Sequence, residues 1–390
     1  MARKVAIVAC SQLIYEKKRN SSREMMVYEV INELLKNAGI SKADIDSFIS
    51  AQNDYLEGRT ISNMRTVGPS GAYLKDESKV EMDGAFAALY AYLRILSGTH
   101  DVVAVYGESM ASCYPPYLPM TWTLDPSFDR QNGFVNEISA AALQACSYMY
   151  KYGITEKQLA KVSVKNLENA TKNPYALRKI NNIDIETVLK SRLLYSPIRA
   201  LNAYPLTDGA CAILMASEDK AMEMTDKPVW IEGVGTCHDS YYMENRILAD
   251  CDCLQLAAKS AYKMAGIKDP LKEIDVIELH ENFSHEELIF YESLGLCSKG
   301  KGGEFIDTGA TLINGILPVN PSGGALSANP VCATGLIRIA EVVMQIKHEA
   351  GEHQITNKKE VNIGLAHGQN GICAQQNIVF ILKGARKCEM

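Results

Sequence analysis

The sequence predicts an α/β fold made of two similar layered α/β halves, with mostly parallel sheets and a covering-loop insertion. Short apolar runs that suit buried strands alternate with stretches of helical spacing, which is typical of α/β layers. The segment Lys36-x-Ala-Gly-Ile40 returns as Lys263-x-Ala-Gly-Ile267 at a similar place in the second half. A match at the same element boundary favours duplication over a chance similarity between α/β units.

The first half begins with an apolar run over 4–9 that predicts a buried strand. A helical pattern follows and ends near Ile40, and a second apolar stretch covers 45–49. Residues 85–96 have the spacing of a helix, and residues 101–106 suit another strand. This order of elements is the one expected for an α/β unit.

The second half repeats the same order of elements. A strand is predicted over 228–234, followed by a helix over 254–264 and a strand over 274–279. A further helix is predicted over 336–346 and a last strand over 361–366. We therefore expect two similar units packed together.

The predicted boundaries divide the chain into residues 1–227 and residues 228–390. Gly39 and Gly266 follow the repeated helices and suit C-terminal caps, where a left-handed backbone is common. The region about 112–200 belongs to the first half; it begins with chain rich in Pro, Tyr and Ser and continues through a helix-like stretch near 137–152. A long irregular insertion in a compact unit commonly covers a functional site.

The composition limits the classes of function. The chain has 390 residues, 47% hydrophobic and 22% charged, with a net charge of −6. The chain has no overall positive charge that would favour binding to nucleic acid or to an anionic membrane. No apolar run has membrane-spanning length. The 11 cysteines are scattered, and Cys251 and Cys253 lack the spacing of a zinc knuckle. We expect free thiols, no metal site and a cytoplasmic, soluble protein.

One loop concentrates small residues ahead of a helix, and it reads Asn320-Pro-Ser-Gly-Gly-Ala-Leu-Ser-Ala-Asn-Pro-Val-Cys-Ala-Thr-Gly335. Small residues let backbone N–H groups and a helix N-terminus face a ligand closely. The loop resembles the active-site loop of thiolases, in which Asn-x-x-Gly-Gly precedes Gly-His-Pro-x-Gly-Ala-Thr-Gly.

Other motifs extend this resemblance over nearly the whole chain. They are Gly98-Thr-His-Asp-Val102 with Gly107-Glu-Ser-Met110, Tyr204-Pro-Leu-Thr-Asp-Gly-Ala-Cys-Ala-Ile-Leu214, His280-Glu-Asn-Phe283, and Glu287-Leu with Tyr291-Glu-Ser-Leu-Gly-Leu-Cys297. Singly they are weak, but together, in this order, they are similar to the thiolase superfamily, and above all to its sterol-carrier-protein and archaeal types. The resemblance implies an acyl-CoA enzyme that makes or breaks a C–C bond next to a thioester.

The resemblance also exposes a departure at the nucleophile. In thiolases a cysteine at a helix N-terminus takes the acyl group, since the helix dipole favours the thiolate. The matching Cys-x-x-Gly is here Glu81-Met-Asp-Gly84, and no cysteine lies between Cys10 and Cys113. Glu81 is either a base or electrostatic partner in the site, or an acid of the kind that favours any helix N-terminus.

Four further residues match catalytic positions of the family. His280 matches an oxyanion-binding histidine, and Asn282 replaces the acid/base cysteine of the His-Asp-Cys-Phe motif. Asn329 replaces the histidine of Gly-His-Pro, and His367 lies in the late loop as a candidate oxyanion or proton-transfer group. An asparagine can donate to an oxyanion but cannot shuttle a proton.

The resemblance implies a coenzyme A thioester as substrate, with no permanently bound cofactor. Ala200 and Tyr204 match positions near the pantetheine arm, and Gly324 lies in the loop expected to meet the ligand. Cys332 and Cys373 lie in the two loops expected to converge on the site. We expect both to be small buried thiols and not acylated residues.

Three functions follow from these observations. The first is a thiolase-superfamily acyltransferase or lyase that works without a covalent acyl-cysteine. The second is a non-catalytic scaffold subunit that assembles with a small zinc-ribbon/OB-fold protein or with an active thiolase chain. The third is an ordinary acetyl-CoA acetyltransferase. The resemblance also implies a homodimer or a dimer of dimers.

Overall fold

The structure is a computed structural model and describes residues 3–114, 121–358 and 360–385. Its strands, in chain order, are β1 (Val5–Gln12), β2 (Ser47–Ala51), β3 (Asp76–Val80), β4 (Val102–Met110), β5 (Leu193–Tyr195), β6 (Ile198–Arg199), β7 (Asp208–Ser217), β8 (Val229–His238), β9 (Val276–Glu278), β10 (Ile363–Asn370) and β11 (Gln376–Gly384).

The α-helices with defined bounds in the described segments follow in the same order. They are α1 (Arg23–Ala38), α2 (Asp54–Glu57), α3 (Val67–Ser70), α4 (Gly84–Leu96), α5 (Glu137–Tyr152), α6 (Glu156–Ala170), α7 (Ile185–Lys190), α8 (Glu218–Met224), α9 (Asp252–Ala265), α10 (Pro270–Glu273), α11 (Ser284–Ser293), α12 (Gly302–Asp307), α13 (Gly324–Ser327) and α14 (Thr334–Lys347). Among these described segments, every helix is too short or too polar to cross a membrane.

One sheet of nine strands runs through the molecule in the order β3-β2-β4-β7-β1-β8-β11-β10-β9. β1 and β8 are antiparallel neighbours, and Ala6 lies opposite Trp230. Outward from this pair, the first half contributes β7, β4 and β2, and the second half contributes β11, β10 and β9. The two halves therefore place their strands in mirrored order. The division at residues 227 and 228 falls between α8 and β8 and stays a prediction.

The α/β class is confirmed, and the sheet itself is mixed. Parallel pairs are β2 with β3, β2 with β4, and β9 with β10, all in the outer part of the sheet. Strands nearer the middle pair antiparallel, which differs from the expectation of mostly parallel sheets. One physical reason is that the short connection between β10 and β11 makes a hairpin, while parallel neighbours need a long crossover.

The repeated helices end as their glycines predict. Gly39 follows α1 with a φ of 66°, and Gly266 follows α9 with a φ of 75°. Both are left-handed conformations that glycine adopts without steric cost.

The insertion is more regular than its composition suggests. α5 and α6 fall inside the region about 112–200, and both begin with a capping box, at Asn136 and Thr155. A capping box satisfies backbone N–H groups that would otherwise lack partners, so each helix has a sharp start. α5 thus confirms the helix that the sequence predicts near 137–152, and α6 adds a second helix directly after it.

Two buried helices, α4 and α14, begin side by side. A Cβ added at Gly84 would lie 2.7 Å from Leu336 Cβ, and one added at Gly335 would lie 1.9 Å from Asp83 Oδ1. Asp83 accepts hydrogen bonds from the backbone N–H groups of Ala85 (3.0 Å) and Gly335 (2.8 Å). Both helix N-termini therefore point at one buried carboxyl group, which marks the position of the site.

Candidate active site

A cavity of about 340 Å³, called here the inner cavity, lies at the start of α4. Four of the five predicted catalytic residues line it, namely Glu81, His280, Asn282 and Asn329. Its other lining residues are Asn53, Tyr55, Asp83, Trp122, Thr123, Asp129, Glu137, Tyr204, Tyr241, Met243, Val331, Gln369, Asn370, Gly371, Ile372 and Gln375.

Three of these side chains form a hydrogen-bonded group. His280 Nε2 lies 3.2 Å from Asn282 Oδ1, and Asn329 Nδ2 donates to the same oxygen over 3.0 Å. The hydroxyl of Thr334 donates to Asn329 Oδ1, which orients this amide. Two donors therefore converge on one oxygen position inside the cavity, as in a site that stabilises an oxyanion.

The protonation of His280 follows from its surroundings. The backbone N–H of Gln369 donates to His280 Nδ1 over 3.4 Å, so the proton of the neutral ring lies on Nε2. Burial, together with the neighbouring His367 and Arg338, lowers the pKa of His280 well below its usual range. His280 is thus a neutral donor and not a cation at physiological pH.

Asp83 is the carboxyl group at the helix N-termini, and the sequence did not single it out. Its Oδ2 lies 3.5 Å from His280 Nδ1, and its side chain is buried. Burial raises the pKa of Asp83 to about 7, although backbone hydrogen bonds act in the opposite direction. Asp before Gly-Ala at the start of an apolar helix is a typical N-cap, and this signal could have found it.

Glu81 lies on the cavity wall, but its expected place at the helix N-terminus is wrong. α4 begins only at Gly84, because Asp83 is its N-cap. The Glu81 carboxylate accepts from the backbone N–H of Asp54 and pairs with Lys79 over 2.7 Å. Its side chain is 43% exposed. Its charge is therefore held at the mouth of the cavity.

Glu137 is a second carboxyl group that the sequence did not single out. It is the first residue of α5 and accepts hydrogen bonds from the Tyr204 hydroxyl (2.9 Å) and from Asn282 Nδ2 (3.2 Å). Burial raises the pKa of Glu137 to about 7. A carboxyl group with this pKa can both accept and return a proton near neutral pH.

His367 is not part of the cavity lining, which contradicts its predicted role. It is fully buried in β10, where its Nε2 bonds to Asn377 Oδ1 (2.9 Å) and its ring packs against Phe290. Burial lowers the pKa of His367 to about 4. Gln369, two residues further along the same strand face, lines the cavity instead and donates to the His280 carbonyl over 2.7 Å.

A second and larger cavity, the outer cavity, adjoins the first at Tyr204, which lines both. Its volume is about 690 Å³, and Ala200 also lines it. The contact of Ala200 with a pantetheine arm stays a prediction. The remaining lining residues are Lys17, Ile138, Leu177, Arg178, Arg192, Leu194, Ala203, Pro205 and Leu206.

The outer cavity is apolar apart from three cations, Lys17, Arg178 and Arg192. No carboxylate lines it, and none of the three cations forms an ion pair with another described residue. Arg178 donates to the Ala203 carbonyl over 2.5 Å, and burial lowers the pKa of Arg178 to about 10. An unpaired, half-buried guanidinium suits an anionic ligand.

Gly324 lines neither cavity, which contradicts its predicted contact with the ligand. It is buried at the start of α13 with a φ of +63°, and an added Cβ would lie 2.0 Å from Glu281 Oε1. Its small size therefore serves the packing of Glu281 beneath the site.

No cysteine lines the inner cavity within the described residues. Cys332 and Cys373 follow the lining residues Val331 and Ile372, but both side chains are buried. Burial raises the pKa of each thiol, well above its usual range for Cys332. Neither is a ready nucleophile, since the thiolate is the reactive form. The described residues also contain no cluster of three or more His, Cys, Asp or Glu side chains that could hold a metal ion.

Known proteins resemble this chain in sequence and in fold. Residues 234–384 match the family described as "Thiolase C-terminal domain-like". An acetyl-CoA acetyltransferase of Methanothermobacter thermautotrophicus is 32% identical, covering 95% of this chain and 97% of its own. Sterol carrier protein 2 of Oryctolagus cuniculus is 36% identical over 56% of this chain and 41% of its own.

A solved structure, "Ltp2-ChsH2(DUF35) aldolase", shares the fold, with a TM-score of 0.84 over 98% of each chain and 22% identity. The acetyltransferase match extends over nearly the full length of both chains. By this similarity, the chain belongs to the thiolase superfamily.

Proposed function

We propose that the protein is an acyl-CoA enzyme that breaks or forms the C–C bond next to a CoA thioester without a covalent acyl-cysteine. In the cleavage direction the substrate is a 3-hydroxyacyl-CoA, and the reaction is a retro-aldol cleavage. The observation that carries this proposal is the pair of donors, His280 and Asn329, in a cavity whose described lining holds no cysteine. The aldolase named above, which has the same fold, agrees with it.

Coenzyme A binds in the outer cavity under this proposal. The apolar walls suit the pantetheine arm, and Lys17, Arg178 and Arg192, which form no ion pair with a described residue, would meet the phosphate groups. Tyr204 lies where the two cavities adjoin, so the thioester would pass beside its ring to reach the inner cavity.

The reaction then uses groups of the inner cavity. The thioester oxygen takes the place of Asn282 Oδ1 and accepts from His280 Nε2 and Asn329 Nδ2. The Glu137 carboxylate removes the proton of the 3-hydroxyl group. The C2–C3 bond breaks, its electron pair forms the thioester enolate, and C3 leaves as a carbonyl compound. Glu137 returns the proton to C2, which gives the shorter acyl-CoA.

The protein partners remain proposals as well. The aldolase of the same fold carries DUF35 in its name, so a protein of that class is the first partner to test. A homodimer is also proposed, because β3 is an edge strand with β2 as its one described neighbour. Tyr73 and Leu74, 73% and 88% exposed, precede this edge.

A cytoplasmic location is proposed on the ten described cysteines, all of which are free.

One experiment separates these functions. The purified protein, with and without a DUF35 partner, is incubated with 3-hydroxybutanoyl-CoA, and acetyl-CoA and trapped acetaldehyde are measured. The lyase is supported if the Glu137→Gln variant loses cleavage while the Glu168→Gln variant, changed at an exposed position of α6, still cleaves the substrate. Intact mass after incubation with acetyl-CoA should show no acyl adduct. An acylated cysteine would instead indicate an ordinary acetyltransferase. Cleavage unaffected by Glu137→Gln would exclude Glu137 as the base, and the absence of cleavage with and without the partner would indicate a scaffold role.

A further inference from the structure

Four aromatic side chains form an exposed group beside the inner cavity, and we call it the aromatic rim: Trp122, Phe128, Tyr241 and Tyr242. Trp122 and Tyr241 line the inner cavity and are 53% and 50% exposed. His280 and Asn329, which line the same cavity, are 4% and 2% exposed. The rim therefore lies where the cavity opens to solvent, while its polar centre is buried.

The rim continues outward from the cavity through edge contacts between rings. Tyr241 and Tyr242 have ring centroids 5.2 Å apart, and Tyr242 and Phe128 have centroids 5.1 Å apart. Phe128 is 50% exposed and Tyr242 is 36% exposed. Exposed aromatic groups beside a polar pocket commonly mark a surface that binds a ligand.

The charges around the rim limit what it can bind. Asp129 is buried and lines the inner cavity, and the backbone N–H of Asp125 donates to its carboxylate over 3.0 Å. Asp125 in turn accepts from the backbone N–H of Phe128 over 2.9 Å. Two carboxyl groups beside the rings disfavour a negatively charged group there, so an uncharged occupant fits better.

The volume of the inner cavity admits such an occupant. A closed apolar cavity of about 150 Å³ is sufficient for one benzene ring. The inner cavity measures about 340 Å³ and has Met243 and Ile372 on its wall together with Trp122 and Tyr241. Space therefore exists for the reacting carbon atoms near His280 and for a ring nearer the opening.

We propose that the aromatic rim binds an uncharged ring, aromatic or alicyclic, at the far end of the acyl chain of the CoA substrate. This rests on the proposed function, because the acyl group reaches the rim only if its thioester lies at His280 and Asn329. Ring contacts with Trp122 and Tyr241 add stabilisation that a straight chain does not gain.

The test compares two probes with nine acyl carbon atoms, 3-hydroxy-3-phenylpropanoyl-CoA and 3-hydroxynonanoyl-CoA, by calorimetric titration of protein that carries Glu137→Gln and should not cleave them. We expect the phenyl probe to bind roughly tenfold more tightly, as one to two ring contacts would provide. Trp122→Ala and Tyr241→Ala should bring this ratio close to one. Tyr150→Ala, at a 95% exposed position of α5 outside both cavities, should leave it unchanged.

Because the readout is a ratio within each variant, a general loss of affinity cancels. Equal affinities for the two probes in the protein with an unsubstituted rim would overturn the proposal, as would a ratio that persists in both alanine variants. Either result would also be expected if the rim docks a protein partner instead.

N-acetylcysteamine thioesters of the same two acids, which lack the nucleotide, separate this proposal from the broader one. If coenzyme A does not bind but the phenyl thioester is still preferred, the rim proposal holds and the CoA proposal fails. If coenzyme A binds and the two thioesters bind equally, the rim proposal fails alone.

Discussion

The Tyr204 hydroxyl donates a hydrogen bond to the Glu137 carboxylate over 2.9 Å, in the wall where the two cavities adjoin. The Tyr204 and Phe283 rings pack in a T-shaped arrangement, with ring centroids 5.8 Å apart. The pair thus connects the proposed path of the substrate with the proposed base. A ligand that moves Tyr204 would also change the hydrogen bonding of Glu137.

Glu137→Gln should lower kcat for cleavage of 3-hydroxybutanoyl-CoA by about 10²- to 10⁴-fold, because the proton acceptor is removed. Affinity for coenzyme A should change little, since Glu137 does not line the outer cavity. Steady-state kinetics together with calorimetry of CoA binding measure both quantities. Equal losses in affinity and in kcat would argue for a structural role.

The pH dependence of kcat should report the pKa of Glu137, which burial raises to about 7. The carboxylate is the active form of a base, so kcat should rise with pH through about 7 and then level off. Tyr204→Phe removes a hydrogen bond that lowers the pKa of Glu137. The rise should therefore move to higher pH in this variant, and an unchanged or lower midpoint would contradict the assignment.

Asn329→Ala should lower kcat by about 10²- to 10³-fold, as expected when one of two oxyanion donors is lost. KM should change less, because the interaction strengthens as charge develops on the thioester oxygen. Asn181→Ala, at an exposed position, is the matched control. An effect confined to KM would place Asn329 in ground-state binding only.

Arg178→Ala should raise the Kd for coenzyme A by roughly 10- to 100-fold, since a hydrogen bond to a charged group contributes about 1.5–3 kcal/mol. Arg178→Lys keeps the charge and should recover part of the affinity. The exposed residue Arg130, changed to Ala, is the control for a general effect of net charge. Titrations at two salt concentrations should show a weaker salt dependence for Arg178→Ala than for the unsubstituted protein.

The free energy of unfolding should fall as pH rises, because the buried pair of His353 and Glu341 loses its charge interaction. The Nε2 atom of His353 and the Oε2 atom of Glu341 are 2.8 Å apart. Burial opposes the charge on His353, but the Glu341 carboxylate outweighs it and raises the pKa of His353. A raised histidine pKa contributes stability that is fully present below about pH 6.5 and is lost as pH rises through the folded-state pKa.

Urea unfolding at pH 6 and pH 9 tests this contribution. The double variant His353→Gln with Glu341→Gln leaves no buried charge in the pair, and its unfolding free energy should differ less between the two pH values. His348→Gln, at an exposed position, should behave as the unsubstituted protein does. An equal pH dependence in the double variant would rule out the pair as its source.

Much of the fold followed from local patterns. The apolar runs and helical spacings predicted the α/β class, and Gly39 and Gly266 predicted where two helices end. The antiparallel centre of the sheet could not be predicted in this way. It depends on the pairing of strands that lie far apart in the chain, such as β1 with β8.

The candidate site was predictable only in part. His280, Asn282 and Asn329 line the inner cavity. The sequence predicted them because each lies in a short motif whose residue types and spacing can be recognised. Glu81 was misplaced relative to the helix because the N-cap lies two residues later, at Asp83. His367 and Gln369 share a strand face, and only the packing decides which of them is covered and which one reaches the cavity.

By itself the sequence determined the α/β class and the superfamily, because both depend on the order of elements and on short motifs. A local pattern can mark Asp83 as an N-cap, but only the tertiary structure places Asp83 and Glu137 in the site and raises the pKa of each to about 7. The physical reason is that burial sets their pKa, and burial results from distant segments that close around them. The same packing of distant segments brings the Tyr204 hydroxyl to the Glu137 carboxylate and leaves the aromatic rim exposed to solvent.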